Sequence, residues 1–346
     1  MTADAIYDVV AIGNAIVDVI SRAEDDFLVG HGLHKGGMML IDQAKSSALY
    51  EAMSAATVMS GGSAANTMVG LASLGGKAAF IGKVRDDESG HAFRHDIQAS
   101  GVHFSTPAAT DGAATARCLV LVTPDGERTM STYLGACVAL GPEDIDEQLI
   151  ASARIFYFEG YLWDPPRAKE AFRRAALAAR AAKRKIALTL SDSFCVDRYR
   201  DEFLDLIRTG LVDILFANES ELHALYQTAD FDTAIQALCA EKTLAFVTRS
   251  ASGCVIVDHG AVQTAPAAPI ERLVDTTGAG DLFAAGVLYG LARKFPLQRC
   301  AAIGALAAAE IIQHYGARPE QTLSELIAQA PSDQTRVQIS VSMRLR

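Results

Sequence analysis

The 346-residue sequence predicts an α/β protein with a mainly parallel sheet flanked by helices and with a small β-sheet lid. Two observations carry this prediction. Short apolar runs of strand length alternate with amphipathic stretches along most of the chain, which is typical of a parallel sheet covered by helices. Residues 15–45 and 106–135 break this alternation with turn signals and short alternating runs, which indicates a separate small sheet.

The large sheet is predicted from six runs that are short, mostly apolar and often end at a polar residue or a glycine. In chain order they are "YDVVAIG", "KAAFIGKV", "RIFYFEG", "KIALTL", "VDILFAN" and "LAFVTR". Three amphipathic helices are predicted between them, "AKEAFRRAALAARAAKRK", "RDEFLDLIRTG" and "FDTAIQALCAEK". Ligands of such sheets bind at the C-terminal ends of the strands, so we expect the site there.

The lid is predicted from the segment "TARCLVLVTPDGERTMSTY", in which "TPDG" is a favourable turn between two strands. We expect the lid to consist of residues 15–45 and 106–135 and to close over the reaction. The large domain then consists of residues 1–14, 46–105 and 136–330. Residues 331–346 form a tail with two open interpretations, an edge strand or a non-native extension.

Composition excludes several classes of function. The net charge is −10 without a long basic block, so neither nucleic acid nor an anionic membrane is an expected partner. No apolar run is long enough to span a membrane, and the N-terminus lacks the features of a signal peptide. The six cysteines show no CxxC spacing, which favours reduced thiols, a cytoplasmic location and no zinc site.

The stretch "DTTGAGDLFAAGVLYG" predicts a tight turn that opens a helix. Gly278 and Gly280 flank Ala279, and amides at such a helix end attract anions. Asp281 in the first turn could simply cap the helix, but a carboxylate beside an anion site is unfavourable without a function. It would accept the proton of a substrate hydroxyl while the amides of the turn stabilise a transferred phosphoryl group. The glycine spacing matches neither the GxGxxG pattern of dinucleotide-binding folds nor the GxxxxGK[ST] pattern of P-loops, so neither kind of nucleotide site is predicted here.

A second polar cluster lies near the N-terminus. In "SGGSAANTMVGLASLGG" a glycine turn is followed by Asn66 early in a helix, and "GNAIVD" places Asn14 and Asp18 after the first strand. Paired donors and acceptors at strand ends suit a polyhydroxyl acceptor. The structural alternative is that Asn66 caps the helix and Asp18 lies in a turn.

The motifs "GGSAAN" and "DTTGAGD" together resemble the two signatures of the ribokinase-like (PfkB-type) carbohydrate kinases. Within that family, "GNAIVDV" and "LTLSDSFCVDRYRDEFLDLIRTGLVDILFANESE" most resemble the adenosine kinase branch. The resemblance implies a ribokinase-like fold and transfer of the γ-phosphate of ATP, with Mg²⁺, to the 5′-hydroxyl of adenosine, as in purine salvage. A sugar kinase acting on ribose, fructose or a related sugar is the alternative, and a non-catalytic nucleoside-binding protein is a second one.

The resemblance also implies residue roles. It makes Asp281 the catalytic base, Gly278, Ala279 and Gly280 the anion hole, and Arg128 a lid residue that reaches the transferring phosphate. The residues expected to bind the acceptor are Asn14, Asp18, Gly62, Ser63 and Asn66. Those expected at ATP and Mg²⁺ are Asn218, Glu221, Thr248, Arg249 and Gly253.

Other expectations are less direct. Ser250 replaces the glycine that usually follows the Thr–Arg pair of the family. Tyr161 and Trp163 stand at a strand end where the resemblance implies an aromatic ring that stacks on adenine, and core packing is the structural alternative for "GYLW". Asp275 and Thr277 would join a monovalent-cation site for K⁺ beside the anion hole. The sequence does not distinguish a monomer from a homodimer.

Overall fold

The computed structural model describes residues 5–329, and the tail expected at 331–346 lies outside the described residues. Strands and helices alternate along most of the described chain, and the strands form two sheets, one of nine strands and one of five. The predicted α/β class, with a large and mostly parallel sheet flanked by helices, is confirmed.

The strands are short, as the apolar runs in the sequence predict. In chain order they are β1 (Tyr7–Ile12), β2 (Ile16–Arg22), β3 (Met38–Leu40), β4 (Ala56–Gly61), β5 (Ala78–Ile81), β6 (Val102–Phe104), β7 (Ala116–Val122), β8 (Arg128–Tyr133), β9 (Ala153–Glu159), β10 (Lys185–Thr189), β11 (Ile214–Asn218), β12 (Leu244–Thr248), β13 (Cys254–Asp258) and β14 (Ala261–Ala265).

The α-helices mostly connect successive strands. They are α1 (Asp25–Gly30), α2 (Gln43–Ala52), α3 (Ser63–Ser73), α4 (Glu88–Ala99), α5 (Glu147–Ala151), α6 (Pro166–Ala181), α7 (Ser193–Arg208), α8 (Glu219–Tyr226), α9 (Phe231–Cys239), α10 (Ala279–Ala292), α11 (Leu297–Ile311) and α12 (Leu323–Gln329). Among residues 5–329, none of the helices has both the length and the apolar character needed to cross a membrane.

The large sheet has the strand order β14-β13-β12-β11-β10-β9-β1-β5-β6. The pairings from β12 to β6 are parallel, and only the hairpin of β13 and β14 at one edge is paired antiparallel. All six strands predicted from apolar runs lie in this sheet, and the three predicted helices are α6, α7 and α9. Buried side chains pack on both faces, because helices cover both.

The small sheet has the strand order β3-β8-β7-β2-β4. β7 and β8 form the antiparallel hairpin that the "TPDG" turn predicts. β4 also pairs in this sheet, although its residues fall in the range that the sequence assigned to the large domain. Along β2, Val17 and Val19 are buried in the main core, so Ile16, Asp18 and Ile20 lie on the other face of the sheet.

The position of α10 is fixed by close packing against α3 and α11. A Cβ on Gly70 of α3 would lie 2.5 Å from Leu282, and a Cβ on Gly286 would lie 2.5 Å from the backbone nitrogen of Gly304. Backbones approach this closely only where side chains are absent. The N-termini of α3 and α10 therefore meet beside the C-terminal end of β1.

Candidate active site

The helix α10 begins at a turn that leaves backbone N–H groups without partners. Gly278 precedes the helix with a φ of 75°, a conformation that favours glycine. A Cβ on Gly278 would also lie 2.9 Å from the Cβ of Ala317. Within residues 5–329 the N–H groups of Gly278 and Gly280 donate to no acceptor, and the space beside the Cα of Gly280 is open. This helix end offers an anion free donors and the positive end of the helix dipole.

Asp281 lies in the first turn of α10 and accepts hydrogen bonds from two residues of α3. The Ser63 hydroxyl donates to Oδ1 at 2.6 Å, and the Asn66 amide donates to Oδ2 at 3.0 Å. Burial raises the pKa of Asp281, whereas the bonds from Ser63 and Asn66 and the charge of Arg318 lower it. The side chain is partly exposed, so a bound ligand could reach it.

The N-terminus of α3 places both donors on one face. Gly62 precedes the helix with a φ of 95°, and a Cβ there would overlap the carbonyl oxygen of Asn14. Ser63 and Asn66 are three positions apart, so they point to the same side. The sequence assigned both to the acceptor, and in this structure both contact the predicted base. The Asn66 Oδ1 is buried and has no partner in the described chain, so it is available to a ligand hydroxyl.

Glu159, which the sequence reasoning missed, ties two parts of the site together. Its two oxygens accept hydrogen bonds from the backbone N–H groups of Asn14 and Ala64, each at 2.8 Å. Burial raises the pKa of Glu159 to about 7, against the lowering effect of these bonds. The sequence could have indicated Glu159 by its position at the end of "RIFYFEG". A carboxylate that follows a buried parallel strand lies at the C-terminal edge of the sheet, where ligands bind.

Asp18 extends from β2 over the same site. A Cβ on Gly61 would overlap the Asp18 carboxylate, so the neighbouring strand needs glycine there. Burial raises the pKa of Asp18 to about 6, with Arg318 and Arg128 lowering it and Asp281 raising it further. Asp18 and Asp281 thus belong to one electrostatic cluster.

Arg318 is the second residue that the sequence reasoning missed. It lies in the loop after α11, and its Nη2 donates to the carbonyl oxygen of Ser60 and, at 2.6 Å, to the Ser60 hydroxyl. Burial lowers the pKa of Arg318, while Asp96, Asp18 and Asp281 raise it. No motif in the sequence marks this arginine, because it reaches the site only through the fold of the C-terminal loop.

Arg128 and Asp275 form a buried ion pair between the small sheet and the turn before α10. The Nη1 of Arg128 lies 2.9 Å from Oδ1 of Asp275, and the two side chains are 10% and 1% exposed. Asp275 also accepts from the backbone N–H groups of Thr277, at 2.9 Å, and Gly316, at 3.0 Å. Three donors already use this carboxylate, so a K⁺ ion at Asp275 and Thr277 would have to share its oxygens with them.

Asn218 and Glu221 form a capping box at the start of α8. Oε1 of Glu221 accepts from the Asn218 side-chain amide at 2.6 Å and Oε2 from the Asn218 N–H at 3.0 Å, while Asn218 Oδ1 accepts from the Glu221 N–H at 2.8 Å. Burial, together with the charges of Asp192 and Asp281, raises the pKa of Glu221 to about 7, against the lowering effect of the bond from the Asn218 N–H. The motif thus has a structural function in addition to the predicted ligand role.

Thr248, Arg249 and Gly253 lie at the end of β12 and the turn that follows. Arg249 makes two hydrogen bonds to Glu219, at 3.1 and 3.2 Å, and stacks on the ring of Phe231. Gly253 has a φ of 85°, and a Cβ there would overlap the carbonyl oxygen of residue 265. Arg249 is therefore engaged by protein groups in this structure, and a phosphate would have to compete with Glu219 for it.

The two aromatic residues after β9 have different surroundings. Trp163 is 3% exposed, packs against Phe158 and Phe203, and donates to Glu202 at 3.0 Å, so of the two alternatives for it the structure shows core packing. Tyr161 is partly exposed, and burial together with Asp192 raises its pKa. Only Tyr161 remains a candidate for contact with a ligand.

Comparison with known proteins identifies the family. The profile described as "pfkB family carbohydrate kinase" matches residues 8–323. The chain belongs to this family. It is therefore a phosphotransferase, and ATP, generally with Mg²⁺, is the phosphoryl donor that the pfkB family implies.

Similar proteins have two kinds of description. An adenosine kinase structure from Sinorhizobium meliloti is 52% identical with a TM-score of 0.90, covering 94% of this chain and all of that one. A probable sugar kinase from Rhizobium etli is 51% identical with a TM-score of 0.89, covering 94% and 98%. The probable chloroplastic fructokinase-6 of Arabidopsis thaliana is 33% identical over 68% of this chain, and the match spans 63% of that protein's length.

The site has two sides that a pfkB-family kinase could use, one for the acceptor hydroxyl and one for the phosphoryl donor. Asp18, Asn66 and Asp281 provide oxygen acceptors on the side of β2 and α3. The free N–H groups at the start of α10 provide donors beside Asp281, and α8 and the end of β12 lie beyond the same sheet edge. A hydroxyl and a phosphoryl group could meet at Asp281.

Proposed function

We propose that this protein transfers the γ-phosphate of ATP to the 5′-hydroxyl of adenosine, giving AMP and ADP. The observation that carries the reaction type is the juxtaposition at the start of α10. Asp281 follows directly after the N–H groups of Gly278 and Gly280, which have no acceptor among residues 5–329. A general base and an anion site are then adjacent, as phosphoryl transfer to a hydroxyl requires.

In the proposed mechanism, Asp281 accepts the proton of the acceptor hydroxyl. Ser63 and Asn66 orient its carboxylate, because each donates to a different oxygen. The acceptor oxygen forms a bond to the γ-phosphorus while the bond between that phosphorus and the bridging oxygen of ADP breaks. The free amides of Gly278 and Gly280 stabilise the charge on the transferring group, and the Ala279 amide, which donates to the Thr276 carbonyl oxygen at 3.2 Å, would have to share or give up that bond to join them.

The acceptor is proposed to lie between α3 and the face of the small sheet that carries Asp18 on β2. Asp18 and Asn66, with Asn14 and Gly62 at the adjoining turn, would hold the ribose hydroxyls. Apolar side chains of the small sheet lie on the same face as Asp18, namely Ile16, Ile20, Cys118, Val120, Val122 and Met130. An apolar wall beside a sugar-binding carboxylate favours a nucleoside over a free sugar, since it gives a base a surface to pack on.

The nucleotide is proposed to bind on the other side of Asp281, near Thr248, Arg249 and Gly253. Asn218 and Glu221 would organise the Mg²⁺ of the MgATP substrate through water. The capping box supports this, because it holds a buried carboxylate at the start of α8, on the edge of the sheet where parallel strands bind ligands.

The small sheet, residues 15–45 and 106–135, is proposed to act as a lid that closes over the acceptor. Arg128 would then leave Asp275 and reach the γ-phosphate. K⁺ is proposed to bind beside Asp275 and Thr277, and release of Arg128 would leave Asp275 more negative and so favour the cation. The six cysteines are free thiols, which supports a cytoplasmic location, and the enzyme acts as a monomer or a homodimer.

A sugar kinase is the second candidate, favoured by the similarity to the probable sugar kinase and to the fructokinase. Both candidates use Asp281 and the same anion site, so only the acceptor differs. A protein that binds a nucleoside without turnover would not need Asp281 beside free amides.

The test is ADP release from MgATP with a panel of acceptors: adenosine, guanosine, inosine, ribose, fructose and fructose 6-phosphate. We expect kcat/KM for adenosine to exceed that for every sugar by orders of magnitude. A higher kcat/KM for a sugar than for adenosine would overturn the proposed acceptor but leave the proposed phosphoryl transfer in place. No turnover with any of them, in an enzyme that binds adenosine, would favour the binding protein.

A further inference from the structure

Three carboxylates and one guanidinium surround the acceptor side of the site. Asp96 on α4, Asp18 on β2 and Asp281 on α10 all act on Arg318, whose charge in turn acts on Asp18 and Asp281. The nearby Arg128 is already paired with Asp275. The balance of charge at Asp18 and Asp281 therefore depends mainly on Arg318.

Arg318 is also connected to the backbone that shapes the site. The Ser60 hydroxyl accepts from Arg318 and donates to Asp96, and the Ser60 N–H donates to the same carboxylate oxygen at 2.8 Å. Ser60 stands directly before Gly61, which contacts Asp18, and Gly62, which opens α3. The guanidinium thus holds the end of β4. That segment contacts Asp18 on the acceptor side and leads into α3, whose Ser63 and Asn66 donate hydrogen bonds to Asp281.

The loop that carries Arg318 contacts the anion site as well. The Gly316 N–H donates to Asp275 at 3.0 Å, and Ala317 packs where a Cβ of Gly278 would lie. One short loop therefore touches the turn before α10 and delivers a charge to the carboxylate at its start.

Part of the guanidinium has no protein partner. Nε and Nη1 of Arg318 are buried and donate to no acceptor in the described chain. Buried donors without acceptors are unfavourable, and they commonly mark a place where a ligand or water binds. The oxygen atoms of a bound acceptor would provide such partners.

We propose that Arg318 is a positioning residue of the acceptor site, which holds the end of β4 and supplies the positive charge that offsets Asp18 and Asp281. The proposal rests on the proposed kinase function, but not on the identity of the acceptor. Its role is electrostatic as well as structural, because Asp281 disfavours the charge of Asp18 while Arg318 favours the charged form of both carboxylates.

The pH dependence gives this proposal a distinctive signature. Only the ionised form of Asp281 can accept a proton from the acceptor. Arg318 from the C-terminal loop lowers the pKa of Asp281, and Asp281 in turn raises the pKa of Asp18 on β2, Glu159 on β9 and Glu221 on α8. Loss of the arginine charge raises the pKa of both Asp18 and Asp281, so the acidic limb of the rate profile moves to higher pH.

The test compares Arg318→Gln and Arg318→Lys with a matched control, Arg94→Gln. Arg94 is also half-buried and also bonds backbone carbonyl oxygens, but on α4 next to Phe104, away from the site. With the best acceptor of the panel, we expect the acidic limb of kcat/KM to move up by about one pH unit in R318Q, which corresponds to about 1.4 kcal/mol. In R318K the acidic limb of kcat/KM should stay close to its wild-type pH, and in R94Q it should not move.

A second readout does not need turnover. Carboxyl ¹³C titration of Asp18, assigned with Asp18→Asn, should show a higher pKa in R318Q than in the wild type and no change in R94Q. If the wild type turns over no acceptor, the proposed function fails while this titration still decides the role of Arg318. Uniform loss of activity at every pH with an unchanged limb and an unchanged Asp18 titration would overturn the proposal.

Asp96→Asn replaces R318Q as the test variant if R318Q does not fold. The amide oxygen of the new side chain can still accept a hydrogen bond from Ser60, but the carboxylate that competes for Arg318 is gone. We expect the acidic limb and the Asp18 titration to move to lower pH. No movement in either would also overturn the proposal.

Discussion

At the scale of single residues, Asp281 combines two properties that normally oppose each other. Burial makes the carboxylate more basic, while the donors on each of its oxygens favour its ionised form and oppose that shift. A base of this kind has a fixed orientation and can still accept a proton when a hydroxyl replaces one of its donors.

Asp281→Asn tests the base. We expect turnover to fall by about 10²-fold or more, as for the loss of a general base, while acceptor affinity stays within a few-fold of the wild type. The amide can still accept one of the hydrogen bonds from α3, so the melting temperature should change little. The matched control is Asp26→Asn, an exposed aspartate in the first turn of α1. Full turnover by D281N would show that another group takes the proton.

Gly280→Ala tests the anion site. Gly280 has an ordinary φ and open space where a Cβ would lie, so alanine fits the folded protein and favours the helix. The methyl group would instead occupy the space in which the phosphoryl group is proposed to bind. We expect an unchanged or slightly higher melting temperature together with a kcat at least about 10-fold lower, in line with the loss of transition-state contacts.

Gly30→Ala is the control for that experiment, because Gly30 at the end of α1 also has open surroundings and an ordinary φ. It should leave kcat unchanged. Wild-type kcat in G280A would mean that the phosphoryl group does not approach this part of the turn.

At the scale of secondary-structure elements, the site depends on how strand ends and helix ends are joined. Glu159 at the end of β9 bonds the loop after β1 and the first turn of α3 at once. A Cβ on the adjacent Gly13 would lie 2.7 Å from this carboxylate, so the contact leaves no room for a larger residue. The orientation of Ser63 and Asn66 thus depends on a residue that touches neither of them.

Glu159→Gln tests this connection. Glutamine offers one oxygen for two backbone donors, so one buried N–H loses its acceptor at a cost of about 1–3 kcal/mol in the free energy of unfolding. We expect KM for the acceptor to rise with it. Urea unfolding and steady-state kinetics measure the two effects, with Glu170→Gln on the exposed side of α6 as the control. Unchanged stability would indicate that water satisfies these amides.

The same variant gives a pH prediction. The folded-state pKa of Glu159 is about 7, above the ordinary value of 4.5, so folding favours its protonated form. Its contribution to stability is therefore complete below pH 4.5 and decreases as the pH rises to 7. We expect the wild type to exceed E159Q in unfolding free energy by more at pH 5 than at pH 8. An equal difference at both pH values would contradict the raised pKa.

At the scale of the whole molecule, local patterns predicted the large sheet and the hairpin of β7 and β8, because burial and turn chemistry are local. The motif around Asp281 was likewise readable, since its glycines and carboxylate are contiguous. Arg318 and Glu159 were not found, because each acts through a neighbour that is remote in sequence. The sequence left core packing and ligand stacking open for Trp163, because an aromatic residue at a strand end can turn either way, and the structure places it in the core.

The ion pair of Arg128 and Asp275 joins the small sheet to the turn before α10, so any movement of the small sheet is linked to that turn. If the small sheet closes over a bound acceptor, its backbone amides should exchange more slowly with ligand than without. We expect increased hydrogen-exchange protection in β7 and β8 with adenosine, and more with adenosine and a non-hydrolysable ATP analogue. β5 and β6 in the large sheet, where no ligand contact is proposed, should not change. Equal protection of β7 and β8 in all states would show that acceptor binding requires no closure, and Arg128 would then remain bound to Asp275 throughout the reaction.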